Sequence, residues 1–141
     1  MLMALILSLA LSTDAPAPVA DGEALIVDSG STNVVGFRLR VFENGRFFIE
    51  QGNPAKGRVR SALVRRFFED LRAAGSLDRL GQAQCAKSAS FGSWTRITYR
   101  GETSPDISCP STTAVQALTR DVGALADAAG IKRLPRLSSP P

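Results

Sequence analysis

The residues best suited to covalent or redox chemistry in this sequence are Cys85 and Cys109, the chain's only cysteines, and its 141 residues include no histidine. A catalytic cysteine needs a base that holds it as thiolate, ordinarily histidine, so nucleophilic catalysis through either thiol lacks its partner. Redox pairs of the Cys-x-x-Cys kind keep their sulfurs close in sequence, and these two are far apart. A structural zinc wants four ligands, of which two cysteines without histidine supply two. What the pair suits is a disulfide, formed and kept in an oxidising compartment. That bond would tie the loop at 86–93 back onto the segment holding Trp94 and Tyr99, the chain's only Trp and Tyr. Closing a loop of about 25 residues stabilises a fold by about 3.5 kcal/mol, a large share of a typical total of about 5–15 kcal/mol.

Other candidates for catalysis fail on spacing. Lack of histidine removes Ser-His-Asp arrangements and the common zinc-hydrolase motifs. Ser88 stands next to Lys87, not at the Ser-x-x-Lys spacing that puts both groups on one helical face. Glu69 and Asp70 are neighbours in a helical pattern and point in different directions, so they do not face one substrate as an acid–base pair. The run Gly52-Asn-Pro-Ala-Lys-Gly57 has the outline of a phosphate loop without its Gly-Lys-Ser/Thr ending. No catalytic residue, cofactor or metal site is expected, and the chain reads as a non-enzyme.

Charge offers binding in place of catalysis. Lys56, Arg58, Arg60, Arg65 and Arg66 put five cations into eleven residues of a chain whose net charge is +4, with Arg38 and Arg40 expected nearby on the sheet's outer face. Such a cluster attracts an anionic envelope surface or an acidic protein. Its bland alternative is a solvated face. No aromatic side chain falls within 56–66, and a nucleic-acid surface would want stacking platforms there, so no nucleic-acid partner is expected.

Residues 2–11, LMALILSLAL, have the length of a signal-peptide core and fall far short of the roughly 20 residues of a membrane-spanning helix. Ala10 and Ser12 supply small residues for cleavage after Ser12, although no basic residue precedes the run. The expected organisation is a signal peptide at 1–12, a Pro/Ala-rich linker at 13–23, one globular domain at 24–131 and a tail at 132–141. Periplasmic or secreted localisation follows, with no transmembrane segment in the mature chain. Composition, 44% apolar and 21% charged, is ordinary for a globular domain.

The elements that would position these residues can be read from periodicity. Residues 24–27 form a short apolar strand. Val35, Phe37, Leu39 and Val41 alternate with Gly36, Arg38, Arg40 and Phe42, and Asn44-Gly45 separates them from a second strand at 47–50. The Asn-Gly pair predicts a hairpin over 34–51 with a type I′ turn, both turn residues at positive φ. Phe42 and Phe48 fall off the main alternation, so either both sheet faces are covered or one carries an apolar patch for a partner. Leu63, Val64, Phe67, Phe68, Leu71 and Ala74 mark a helix that starts at a Ser61 cap and stops at Gly75. A second hairpin turns at Gly101-Glu102, setting Arg100 opposite Thr103 and Trp94 opposite Cys109, with Pro105 confined to an edge or bulge. A last helix opens at Ser111–Thr113, buries Val115, Leu118, Val122, Leu125 and Ala129, and closes at Gly130. The order β-ββ-α-ββ-α predicts an α+β fold, an antiparallel sheet of about five strands packed against two helices on one face.

Ser29-Gly30, then Val35-Gly36-Phe37 and a strand ending in Asn44-Gly45, a helix with Leu71 and Gly75, a strand around Ile97-Thr98-Tyr99 and a closing helix over 118–125 form a pattern spanning residues 27–129. In this pattern the chain is similar to emfourin-type domains, small bacterial proteins that inhibit thermolysin-like metalloproteases. The two cysteines depart from that family's pattern, and no inhibitory residue carries over. The apolar N-terminal run and the missing catalytic set make the chain a small exported non-catalytic binding module whose partner is another protein, and the resemblance implies that this partner is a protease which it inhibits. The alternative is an envelope-associated structural protein held on anionic surfaces by the basic cluster. Salt separates the two, because charge-driven attachment weakens steeply with ionic strength.

Overall fold

Alternation of apolar residues along 23–51 and 95–99 builds one antiparallel sheet whose central strands turn a single row of side chains toward the helices. The computed structural model describes residues 22–81, 85 and 92–132; the expected signal peptide, most of the linker and the tail beyond 132 lie outside them. Strands β1 (Glu23–Ser31), β2 (Val34–Phe42), β3 (Arg46–Gln51), β4 (Ala55–Arg58), β5 (Thr95–Tyr99) and β6 (Glu102–Thr103) accompany helices α1 (Ser61–Ala74) and α2 (Thr113–Ala128). Their spatial order is β4-β3-β2-β1-β5-β6. The α+β class is as expected, with six strands where about five were.

Register explains which residues go inside. Ala24 pairs with Val41 and Tyr99, and Ile26 with Leu39 and Ile97; Leu39 and Val41 pair onward with Ile49 and Phe47. That row meets Val64, Phe67, Phe68 and Leu71 of α1 and Val115, Leu118, Val122 and Leu125 of α2 in one core. Phe68 packs edge-on against both Phe67 and Tyr99, with centroids 5.3 and 5.6 Å apart. Burying each such side chain contributes about 1.5–3 kcal/mol.

Several local expectations need correction. The added strand, β4, is Ala-Lys-Gly-Arg, exposed throughout; main-chain pairing to β3 alone makes it a strand, so no hydrophobic period announces it. The first strand runs past the expected 24–27 through Ser29 and Gly30, because Gly30 (φ 67°) and Gly36 let the β1–β2 backbones approach where any Cβ would collide with main chain. At the first hairpin only Gly45 is left-handed (φ 87°); Gly45 N–H donates to Phe42 O at 2.8 Å, and a three-residue connection ending in a left-handed glycine replaces the type I′ turn. The signature of paired positive φ belongs instead to Arg100 (φ 50°) and Gly101 (φ 79°).

That second turn sits one position earlier than expected, which moves each pairing partner by two residues. Tyr99 pairs with Glu102 and Thr98 with Thr103, and beyond Thr103 the chain leaves the ladder, so the expected pairing of Trp94 with Cys109 does not form. Ser104 N–H still donates to Ile97 O and Ile107 N–H to Thr95 O, both at 2.9 Å, which leaves Pro105 in an irregular edge segment where its missing donor costs nothing. At α1, Ser61 lies inside the helix and Arg60 occupies the cap position without a side-chain bond. Thr112 caps α2, its hydroxyl accepting from Val115 N–H at 3.3 Å.

Candidate functional site

Cys85 and Cys109 are joined in a disulfide with their Cα atoms 5.8 Å apart. Cys109 is buried and Cys85 exposed, so the bond pins a surface segment to the domain edge. The anchoring side is well held: Asp106 Oδ1 accepts from Thr95 N–H at 3.0 Å, Ser108 N–H at 2.9 Å and Ser108 Oγ at 2.6 Å. Residues 86–91 of the tied loop, including Lys87 and Ser88, lie outside the described residues. With both thiols consumed, neither is available as nucleophile or metal ligand, and the pair acts as a staple.

Both helices pack on the inner side of the sheet, and no described element covers the other side. The outward row of β1 is Glu23, Leu25 and Val27, set against Phe42, Arg40 and Arg38 of β2. Arg40 in turn faces Phe48 of β3, which faces Lys56 of β4, and Arg46 faces Arg58. On the other flank Val27 faces Arg96 of β5. Among the described residues, Arg38, Arg40, Arg46, Lys56, Arg58 and Arg96 thus share one face with two carboxylates, Glu23 and Glu50.

Those carboxylates bind the centre of the face together. Arg40 bridges Glu23 and Glu50, and Arg38 reaches Glu50 at 3.4 Å. Burial alone would lower the proton affinity of the Arg40 guanidinium, but its bonds to Glu23 and Glu50 outweigh this and raise it. Arg46 lies over the rings of Phe42 and Phe48, 5.8 and 5.3 Å from their centroids, while those rings meet edge to face at 5.7 Å. Arg96 lies 4.9 Å over Trp94, one of the two large apolar side chains most open to solvent, at 39% exposure. Stacked guanidinium groups retain their charge and keep their in-plane donors free for a partner.

The basic cluster read from sequence is divided by the fold. Lys56 and Arg58 lie on the uncovered face, Arg60 at the head of α1, and Arg65 and Arg66 on the helical layer across the core. Arg65 approaches Glu69 at 4.0 Å and Arg66 reaches Asp121 at 2.9 Å. Sequence proximity missed Arg46 and Arg96, and it missed that Phe42, Phe48 and Trp94 interleave with the cations across strands. The signal for Phe42 and Phe48 was their departure from the main alternation, which the uncovered face now explains.

Two further features lie elsewhere. Asp121, fully buried between the helices, accepts from Arg66 Nε at 2.9 Å and Arg120 Nε at 3.2 Å through Oδ1, while its Oδ2 has no donor. Burial first, and the adjoining Asp70 carboxyl second, push its proton affinity up further than the two arginines pull it down. A cleft of about 960 Å³ lies between Asp28, Thr95 and Ser108 on one side and Gln116, Thr119 and Arg120 of α2 on the other. Asp28 already accepts from Gly30 N–H and Thr95 Oγ1, both at 2.8 Å, and Thr119 Oγ1 donates within 2.8 Å of Ile107 O, so these groups serve the fold. Among the described residues no helix is long and apolar enough to cross a membrane. No family model, curated protein or solved structure matches the chain.

Proposed function

We propose that this chain is a small exported, non-catalytic binding module that presents the uncovered face of its sheet to an acidic protein. The observation that carries the reading is the asymmetry of that sheet: one face is filled by two helices, and the other carries, among the described residues, six cations against two carboxylates with partly exposed aromatic rings between them. Aromatic and arginine side chains are what protein interfaces concentrate, and a surplus of one sign steers a partner of the other. The disulfide supports an oxidising compartment. Resemblance to emfourin-type domains makes a thermolysin-like metalloprotease the first partner to assay.

The test places a photo-crosslinking residue at Thr98 on the uncovered face and, separately, at Glu69 on the helical layer, and exposes both proteins to extracts and medium of the native host. Adducts from Thr98 and not from Glu69, weakened by Arg96→Glu, are expected. Adducts from Glu69 alone would overturn the choice of face. Absence of any protein adduct, together with sedimentation on anionic vesicles at low salt, would favour the envelope-associated alternative instead.

A further inference from the structure

We infer that the free edge of β4 accepts an extended acidic segment of the partner protein as an added strand; this rests on the reading of the chain as a binding module and specifies how the partner is held. A sheet edge offers unpaired main-chain donors and acceptors to any chain that lies beside it. The two edges of this sheet differ in whether they are open. At the β6 edge, Glu102 is engaged by the segment that follows α1, accepting from Leu77 N–H at 2.8 Å and Ser76 Oγ at 3.3 Å, and after Thr103 the chain folds back along β5. At the β4 edge all four residues are exposed, Pro54 precedes the strand without interrupting it, and the register with β3 is unbroken from Arg46–Arg58 to Ile49–Ala55.

The side chains on β4 select the visitor. Lys56 and Arg58 point to the uncovered face, and neither has an ion-pair partner among the described residues; Arg58 Nη1 donates to Asn44 O at 3.2 Å. Acidic residues at alternate positions of an added strand would stand directly opposite these cations, a favourable cross-strand pairing. A second copy of β4 would set Lys56 and Arg58 against their own kind, which opposes self-association through this edge. The inward positions, Ala55 and Gly57, are small, and the Phe47 ring lies against Gly57 so closely that a Cβ there would touch it. An alternating strand whose other residues are apolar therefore finds cations on one side and the rim of the core on the other, where half-buried Val59 and Leu63 pack against the cluster.

The probe is a blocked peptide in which Glu alternates with Val along about seven residues, with a Lys-for-Glu peptide and a block-sequence isomer as controls. Binding by fluorescence anisotropy, with amide exchange slowed at 55–58 and unchanged on β6, is expected for the alternating acidic peptide alone. Lys56→Glu with Arg58→Glu should weaken it at least about tenfold, equivalent to about 1.4 kcal/mol, while leaving the unfolding midpoint near that of the parent. Binding without protection at 55–58, weakened as much by Arg96→Glu as by the edge pair, would overturn strand addition while leaving the uncovered face as the binding surface. No binding, or equal binding of the block isomer, would overturn it as well.

Discussion

At the scale of single residues, Asp121 is the place where this fold stores a titratable conflict. Its Oδ1 is shared by two arginines, yet Oδ2 is buried without a donor and the Asp70 carboxyl lies beside it, itself held by Arg120 at 3.1 Å. Facing Asp121 from α1 are Arg66 and Asp70, and from its own helix Arg120; a proton on Oδ2 would relieve the repulsion from Asp70 while Oδ1 stays with the two arginines. Because burial and Asp70 raise the folded-state proton affinity above that of the unfolded chain, this group's contribution is complete in acid, below the ordinary carboxyl range, and is lost as pH rises through the raised folded value. Asp121→Asn keeps an acceptor for the arginines and puts a permanent donor where the proton would sit. Urea unfolding at a series of pH values should show the variant gaining on the parent as pH rises from acid to neutral. A stability difference that is flat across that range would mean that Asp121 does not take up the proton.

Elements were legible in the sequence to the extent that the hydrophobic core wrote their period. β2, β3, α1 and α2 each carry an apolar stripe, and each forms within a residue or two of where that stripe places it. β4 carries none, because its residues are held by backbone pairing at a solvent edge. The turns were misread for a related reason: Asn44-Gly45 has the composition of a type I′ turn, but the strand register allows three connecting residues, while Arg100 accepts a left-handed conformation that composition does not advertise. The site was only half legible, since its cations come from β2, β3, β4 and β5 and meet only across the ladder. Cysteine pairing was readable because its alternatives lacked ligands and a base. It acts at the scale of elements, fastening the irregular segment after β6. Cys85→Ser with Cys109→Ser should lower the unfolding free energy by about 2–4 kcal/mol in denaturant titrations and leave partner binding little changed where the variant remains folded. A fully stable double variant that no longer binds would make the bonded segment part of the site instead.

For the whole molecule, the two sides of the sheet divide the labour. One side supplies stability through the core, and the other gathers six of the chain's 17 Lys and Arg residues where no described element shields them. A staple that needs oxidation fits a setting outside a reducing cytosol. The apolar run at 2–11 would supply the proposed export route, with Ala10 and Ser12 at the positions a signal peptidase favours. If the chain is exported, protein recovered from its native host should begin at Thr13 and react with no thiol reagent until reduced. Expression of residues 13–141 in a reducing cytosol should give two titratable thiols and a lower unfolding midpoint, restored when the purified protein is oxidised. Native protein that begins at Met1, is recovered from the cytosol and carries free thiols would place the chain in the other compartment, where the uncovered face would have to find its acidic partner among intracellular proteins.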